Sequence, residues 1–250
     1  MTTRGERTTV PEKLTVNADL EGTDGSRGRR RIKPDGRKQR WQEHKVARRE
    51  ELVDGTLAAI RKLGGGIGMD QIAAEIGVSK TVLYRYFTDK NDLTNAAMLR
   101  FVEVVLAPRI YEAIGEQLEE YDLVRSAITA YVETISADTD IYRYVMSNGS
   151  DRDALADSER MIADALSVVL GARIASHGLS TAGSVPWSYC IVGGIQLATH
   201  WWISNESISA DELTDYLVMM VWSSIEGIYR VGGSAEVFNS MSHPLPKTDA

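Results

Sequence analysis

The chain has 250 residues, an apolar content of 43% and a charged fraction of 25%, which exclude a fibrous or wholly disordered protein and allow one large or two modest domains. Its single cysteine, Cys190, cannot form an intramolecular disulfide, and the N-terminus lacks the apolar core of a signal peptide, so we expect a cytoplasmic protein. Residues 1–100 carry 20 Lys and Arg against 14 Asp and Glu, whereas residues 101–250 carry 8 against 21. This division favours a basic first part that binds nucleic acid, here called the head, followed by an acidic second part, the body, whose charge repels phosphate.

Residues 1–38 are rich in Gly, Thr, Arg and Asp and show no sustained apolar period, so we expect a disordered basic arm. Its cationic cluster includes Arg29, Arg30 and Arg31. Two interpretations stay open for these residues: a solvated tail, or a flexible arm that contacts phosphates or inserts arginine into a minor groove.

Helical periodicity predicts a first helix from about Gln42 to Leu63, which ends in the run Gly64, Gly65 and Gly66. Glycine runs of this kind also occur in loops that bind phosphate. This run follows a helix rather than a strand and lacks the Walker lysine, so we exclude a nucleotide-binding loop.

A short helix ending at Gly77, a tight turn and a second short helix capped by Ser79 form a helix-turn-helix pattern. The outward arc of the second helix carries Lys80, Thr81, Tyr84 and Arg85. Cations and hydroxyl groups contact phosphates and base edges, and a guanidinium can bond to O6 and N7 of guanine together. Because such helix pairs also occur in proteins that never bind DNA, the geometry alone leaves a solvated surface as an alternative.

Thr88 or Asp89 is expected to cap a fourth helix, which Pro108 should end. Beyond it the pattern is helical almost throughout, without the two-residue alternation of strands. Helices 185–204 and 210–231 are the best candidates for pairing with a second copy, because the first lacks charged residues and the second repeats apolar ones. The charge-free helix includes a proline, two glycines and several polar residues, so we do not expect it to span a membrane.

Aromatic side chains are abundant in the second part of the chain and suit either an apolar pocket or an ordinary core. Gln196 and His200 are the polar groups best placed to orient a ligand, and a hydrogen-bonded core histidine stays an alternative for His200. The candidate ligand-binding residues are Phe101, Tyr131, Tyr142, Met146, Trp187, Gln196 and His200. Scattered histidines and the absence of catalytic motifs predict no metal site, no cofactor and no enzymatic activity.

Residues 48–93, and above all the run GVSKTVLYRYFTDK at 77–90, resemble the DNA-binding domain of the tetracycline-repressor (TetR) family. The resemblance implies an all-α homodimer in which an N-terminal three-helix helix-turn-helix domain binds double-stranded operator DNA. A helical ligand-binding and dimerisation domain follows. With the arm at 1–38, this places the DNA-binding domain at 39–88, the effector and dimerisation domain at 89–238 and a flexible tail at 239–250.

The resemblance also assigns contacts to individual positions. It implies DNA contacts at Lys80, Thr81, Tyr84, Tyr86 and Lys90, which together with the chemistry above predict a DNA-binding set of Ser79, Lys80, Thr81, Tyr84, Arg85, Tyr86 and Lys90, with Arg29, Arg30 and Arg31 on the arm. Gly68 and Val82 depart from the family pattern, because hydroxyl side chains are common at both positions.

The expected function is that of a ligand-responsive transcriptional regulator, a repressor released from a palindromic operator by an apolar small molecule such as an acyl chain or acyl thioester. An aromatic second domain with few cations favours that class of effector. Two alternatives stay open: an architectural protein that binds DNA without sequence preference or effector, and a small-molecule enzyme or carrier with a vestigial head.

Overall fold

The computed structural model describes residues 36–114, 118–148, 152–205 and 207–244. Contacts divide the chain into residues 1–42, of which only the start of the first helix is described, and residues 43–250. Arg29, Arg30 and Arg31 lie outside the described residues. Within the described ranges every regular element is a helix, which confirms the all-α fold class.

The helices follow the predicted order, with ends that shift by a few residues. They are α1 (Gly36–Leu63), α2 (Met69–Glu75), α3 (Lys80–Tyr86), α4 (Lys90–Phe101), α5 (Ala107–Ile114), α6 (Glu120–Ala137), α7 (Thr139–Asn148), α8 (Arg152–Ser176), α9 (Ser184–Asn205), α10 (Ala210–Arg230) and α11 (Ala235–Ser240). Capping sets several of these ends. Ser209, for example, begins α10 by accepting a hydrogen bond from the Glu212 N–H at 3.2 Å.

The head consists of α1, α2 and α3, and local chemistry keeps the last two helices short. Gly77 follows α2 with a φ of 70°, a left-handed conformation that glycine adopts without strain. Ser79 then accepts a hydrogen bond from the Val82 N–H at 3.3 Å and begins α3. Leu83 and Phe87 are buried in the same core as apolar residues of α1 and α2. This packing produces the helix-turn-helix that the sequence predicts.

The fourth helix does not end at Pro108. α4 continues through a π-helical turn at Val102–Leu106 into α5, and the Ala107 N–H bonds to the carbonyl of Val102, five residues earlier. We attribute the tolerance of Pro108 to this turn, because its wider spacing accommodates the proline ring and the missing N–H. The prediction that the proline breaks the helix is wrong.

Two apolar cores run through the described part of residues 43–250. The first is continuous from head to body, since it joins residues of α1, α2 and α3 to Leu93 of α4, Ile141 of α7 and Ile203 of α9. The second joins α6, α9 and α10, and Tyr131 packs against both. α8 lies along α9, while α6 packs against α5 and α10. The head therefore shares its core with the body.

Among the described residues, α9 included, no helix combines the length and the apolar character that a membrane span requires.

Candidate functional site

The outward side of α3 brings the predicted DNA-contacting residues together. Its exposed side chains are Lys80, Thr81, Tyr84 and Arg85. The opposite side carries Leu83, which is completely buried and fixes the rotation of the helix. Two cations, a hydroxyl and a phenol thus face solvent on one arc, which is the set of donors that binds phosphate oxygens and base edges.

The two cations of this arc differ in their surroundings. The Nζ of Lys80 lies 2.9 Å from Oδ2 of Asp70 on α2, and this hydrogen bond raises the pKa of the ammonium group. The guanidinium of Arg85 lies 5.3 Å from the ring centroid of half-buried Tyr86, and no carboxylate among the described residues forms an ion pair with it. Lys80 must leave Asp70 to meet a phosphate, whereas Arg85 has no such bond to break.

Lys90 lies at the first position of α4, which Asp89 caps by accepting a hydrogen bond from the Asp92 N–H at 2.9 Å. The Nζ of Lys90 lies 5.8 Å from the ring centroid of Tyr144 on α7. Its ammonium group is therefore directed towards the body, and a phosphate contact by Lys90 requires a change of rotamer.

Side chains of four body helices form a polar cluster in which Tyr142 and Thr199 are buried and His200 is exposed. Its members are Tyr131 of α6, Tyr142 of α7, Glu159 of α8, and Thr199 and His200 of α9. The Tyr131 hydroxyl bonds to Thr199, and burial raises the pKa of Tyr131 to about 12. Burial also raises the pKa values of Tyr142 and Glu159, and the charge of Glu159 adds to the shifts of both tyrosines.

A junction cavity of about 480 Å³ lies between the loop after α1, the helix α7 and the end of α9. Its walls include Gly65, Gly66, Tyr142, Met146, His200 and Ile203. Three of these residues, Tyr142, Met146 and His200, belong to the predicted ligand-binding set. The volume lies within the range of small-molecule sites, and the exposed residues Arg143, His200 and Ser204 leave the cavity open to solvent.

The other predicted ligand-binding residues lie away from the walls of this cavity. Phe101 is buried in the first core, with Tyr131 packed against it, and Gln196 is half-buried one turn before His200. The ring of Trp187 covers Gly183 so closely that a Cβ at that glycine would overlap it. Along α9, Trp187 lies about 20 Å from His200, so it does not line the junction cavity.

Helices α9 and α10 expose a row of large apolar side chains, here called the α9–α10 face. Leu197 is 71% exposed and Met219 is 61% exposed, and the row also includes Tyr189, Trp201, Tyr216 and Met220. Exposed apolar side chains on two neighbouring helices are typical of an interaction site. It lies on the two helices that the sequence predicts to pair with a second copy.

The described residues hold no group of three or more His, Cys, Asp or Glu side chains arranged for a metal ion.

Comparison with known proteins matches both parts of the chain. Residues 65–97 match the family described as "Bacterial regulatory proteins, tetR family", and residues 109–235 match "Tetracyclin repressor-like, C-terminal domain". A Mycobacterium tuberculosis H37Rv protein described as an uncharacterized HTH-type transcriptional regulator is 53% identical over 217 residues, which cover 86% of this chain and 93% of that protein. The chain belongs to the TetR family.

Two further matches extend this relationship. The HTH-type transcriptional activator FasR of Mycolicibacterium smegmatis is 28% identical over 131 residues, or 52% of this chain and 59% of FasR. A TetR-family regulator from Streptomyces coelicolor has the same fold, with a TM-score of 0.57 and 20% identity over 78% of this chain and 86% of that one. The protein is thus a TetR-family helix-turn-helix transcriptional regulator, and such regulators bind operator DNA, typically as ligand-responsive dimers.

Two positions depart from the TetR pattern in the head. Gly68 has no side chain with which to cap α2, and its N–H donates instead to Oε1 of Gln71 at 3.0 Å. Val82 is half-buried on α3. Neither position can donate the side-chain hydroxyl that the family often presents to phosphate.

Sequence reasoning missed two carboxylates that the structure brings to the candidate sites. Asp70 and Lys80 lie on different helices, so no periodicity pairs them, and Asp70 alone resembles an ordinary acidic residue of a first helical turn. Glu159 is one of several acids in α8, and only its partial burial and its electrostatic effect on Tyr131 and Tyr142 distinguish it. No local signal in the sequence identifies either residue.

Proposed function

We propose that the protein is a homodimeric repressor that binds a palindromic operator and releases it when an apolar small molecule binds the body. The exposed donor arc of α3 carries this proposal, because it combines cations and hydroxyl groups on one rigid face. Arg85 is the proposed reader of guanine, and Ser79, Lys80, Thr81, Tyr84, Tyr86 and Lys90 are the proposed partners of phosphates and neighbouring bases.

The α9–α10 face supports dimerisation. A pair of helices that leaves Leu197, Trp201 and Met219 in water gains stability when a second copy covers them. The proposed interface uses helices 185–204 and 210–231 of each copy. Two recognition helices held by such an interface can reach two half-sites one helical turn of DNA apart, or a multiple of it.

The junction cavity and the polar cluster support an effector that is mainly apolar and has few hydrogen-bonding groups. Tyr142 and His200 belong to both features, while Met146 and Ile203 add apolar surface. An acyl chain or acyl thioester has this chemistry, and it is the proposed effector class. Residues 101–250 carry a large excess of acid, which disfavours a highly anionic ligand.

Duplex selection tests the regulator function directly. The wild-type protein should enrich a palindromic duplex from a random pool, and random duplex should compete with it at least about 1,000-fold less well. Equal competition by random duplex would favour the architectural alternative. Palmitic acid and palmitoyl-coenzyme A, added separately, should weaken binding of the selected duplex by about 5- to 150-fold. Tighter binding with either compound would show recruitment instead of release.

Replacing Arg85 tests the role of α3. Arg85→Ala should weaken binding of the selected duplex by about 1–3 kcal/mol and relax the preference for one base pair, because a bidentate contact to guanine is lost. Arg109→Ala, a matched change of an exposed arginine on α5, should leave binding unchanged. Equal effects of the two substitutions would contradict direct base reading by Arg85.

The basic arm has its own test. Deleting residues 1–38 should weaken DNA binding and flatten its dependence on salt, because each lost phosphate contact reduces the slope of log K against log salt by about 0.9. An unchanged slope would leave the arm as a solvated tail.

A further inference from the structure

The glycine run after α1 lies against the backbone of α7. The Gly65 N–H donates to Oδ1 of Asp140 at 3.3 Å. A Cβ at Gly65 would lie 2.6 Å from the carbonyl oxygen of Asp140 and 3.0 Å from the backbone nitrogen of Tyr144. Backbone atoms cannot give way as a flexible side chain can, so this contact between head and body requires glycine.

Residues 138–144, which begin one residue before α7, make two further contacts, one with α1 of the head and one with α4. The guanidinium of Arg61, at the end of α1, binds both carboxylate oxygens of Asp138 at 2.6 and 3.1 Å. The fully buried Tyr144 lies beside Thr94 of α4 and under the ammonium group of Lys90. Three separate contacts therefore connect residues 138–144 to the DNA-binding head and to the start of α4.

The other side of α7 faces the effector region. Tyr142 belongs to the polar cluster, and its ring centroid lies 6.3 Å from that of His200 on α9. Tyr142, which lies between Asp140 and Tyr144, therefore meets the polar cluster from the same stretch of chain that contacts the head. Since the apolar core is also continuous from α1 to Tyr142 and Ile203, a shift of α7 is transmitted through packed atoms.

The junction cavity completes this arrangement, because its walls come from both sides. Gly65 and Gly66 belong to the head, and Tyr142, Met146 and His200 belong to the body. A molecule in the cavity touches the loop that leads into the helix-turn-helix without acting through α4. Asp140, Arg143, Ser147 and Ser204 also line it. The two serine hydroxyls donate to the carbonyl oxygens of Tyr144 and His200, so the guanidinium of Arg143, with its five N–H groups, is the main donor in the wall.

We propose that the junction cavity is an effector site at which the ligand contacts the DNA-binding head directly, displacing the Gly64–Gly66 loop from α7. The occupant is a largely apolar molecule with a carbonyl or similar acceptor group, which meets the guanidinium of Arg143. The proposal rests on the proposed ligand-responsive function and adds where the ligand acts and which loop responds. The ligand changes DNA binding because a movement of the loop also moves α2 and α3 relative to the body.

Two glycine substitutions provide a matched test that requires no ligand. Gly65→Ala forces a methyl group against the backbone of α7, whereas a Cβ at Gly171 of α8, outside the candidate sites, meets its nearest atom at an ordinary 3.5 Å. Binding of the selected duplex is measured by fluorescence anisotropy, with circular dichroism as the check on folding. Gly65→Ala should weaken binding about 10-fold or more, and Gly171→Ala should stay within about 2-fold of wild type. Equal affinities of the two variants overturn the proposal.

A second pair of variants avoids strain at the loop. Ser204→Trp places a large apolar group at the wall of the cavity, and Ser176→Trp makes the same change at an exposed serine of α8 that does not line it. The cavity variant should imitate the ligand and weaken duplex binding about 5-fold or more, while the α8 variant should bind as wild type does. If Ser204→Trp also binds as wild type does, the cavity does not control the head. Failure of the wild-type protein to select any duplex would count against the proposed function itself.

Discussion

The head and the body of this TetR-family protein bury apolar side chains in the same way but present different chemistry. In the head, the first core, which is shared with the body, orients α3 so that its polar side chains reach solvent, and the proposed DNA contacts depend on that surface. In the body, the cluster residues Tyr142 and Thr199 lie inside, and the α9–α10 face exposes apolar side chains. A polar surface on a rigid core is suited to DNA, whereas a polar interior and an apolar surface are suited to a ligand and a second copy.

The two regions also differ in how their charges are placed. Lys80, Lys62 and Arg49 of the head each form an ion pair with a carboxylate of the head or of α4. Glu159 of the body is half-buried, and burial is the cause of its raised pKa. Exposed pairs contribute little to stability, but they determine how much cationic charge the head offers to DNA.

A core substitution in α3 tests whether the two regions unfold together. Leu83→Ala should lower the free energy of unfolding by about 2–5 kcal/mol, because it leaves a cavity at a completely buried position. Since the first core is continuous, denaturant transitions followed by tryptophan fluorescence and by circular dichroism should shift together. Thr81→Ala, exposed on the same helix, should change stability by less than about 0.5 kcal/mol. Separate transitions would show an independent head.

A charge on the apolar surface tests the role of the body in dimerisation. Leu197→Asp should yield monomers in light scattering and weaken duplex binding by about 100-fold or more, because each half-site is then bound singly. Val168→Asp makes the same change at a position on α8 that is 72% exposed, and it should leave the dimer intact. If Leu197→Asp stays dimeric, the interface lies elsewhere.

The ion pair between Asp70 and Lys80 beside the proposed DNA-binding surface gives a smaller effect of opposite sign. Asp70→Asn should tighten binding of random duplex by up to about 5-fold, because Lys80 is released and an anion is removed. Glu75→Gln is the control, since Glu75 lies on the same helix as Asp70 and its carboxylate is paired with Lys62 of α1. A larger gain with Glu75→Gln than with Asp70→Asn would contradict a specific role for Asp70.

The smallest expected effect concerns Glu159 and the pH dependence of stability. Because its pKa is raised in the folded protein, the charged carboxylate lowers stability at neutral pH, and stability is regained as pH falls through the raised pKa. Glu159→Gln should therefore raise Tm at pH 7, by less than about 4 °C, and the difference should shrink towards pH 4.5.

Glu212 serves as the opposite control, since hydrogen bonds with Ser209 lower its pKa. Glu212→Gln should lower Tm at pH 7. The difference in Tm from the wild-type protein should shrink as pH falls below the ordinary pKa of glutamate. If Glu159→Gln and Glu212→Gln both raise Tm at pH 7, or both lower it, the opposite pKa shifts of the two carboxylates would be contradicted.

Predictability from sequence follows the same division between head and body. In the head, Gly77, Ser79 and Leu83 act through local backbone and capping chemistry, so their positions predict the helix-turn-helix that the structure contains. The break at Pro108 was predicted from equally local rules and is wrong, because a π-helical turn just before the proline accommodates it. The ligand-binding set is mixed: Tyr142, Met146 and His200 meet at one cavity, while Trp187 covers a glycine far along the same helix.

The sequence by itself determined the helices, the exposed donor arc of α3 and the membership in a family of DNA-binding regulators, because these depend on residues within one or two helical turns of each other. Only the tertiary structure decided that Asp70 holds Lys80, that Glu159 joins two tyrosines and that Gly65 lies against α7. Each of these contacts joins residues from separate helices. Packing of the whole chain, which no local spacing encodes, brings them together.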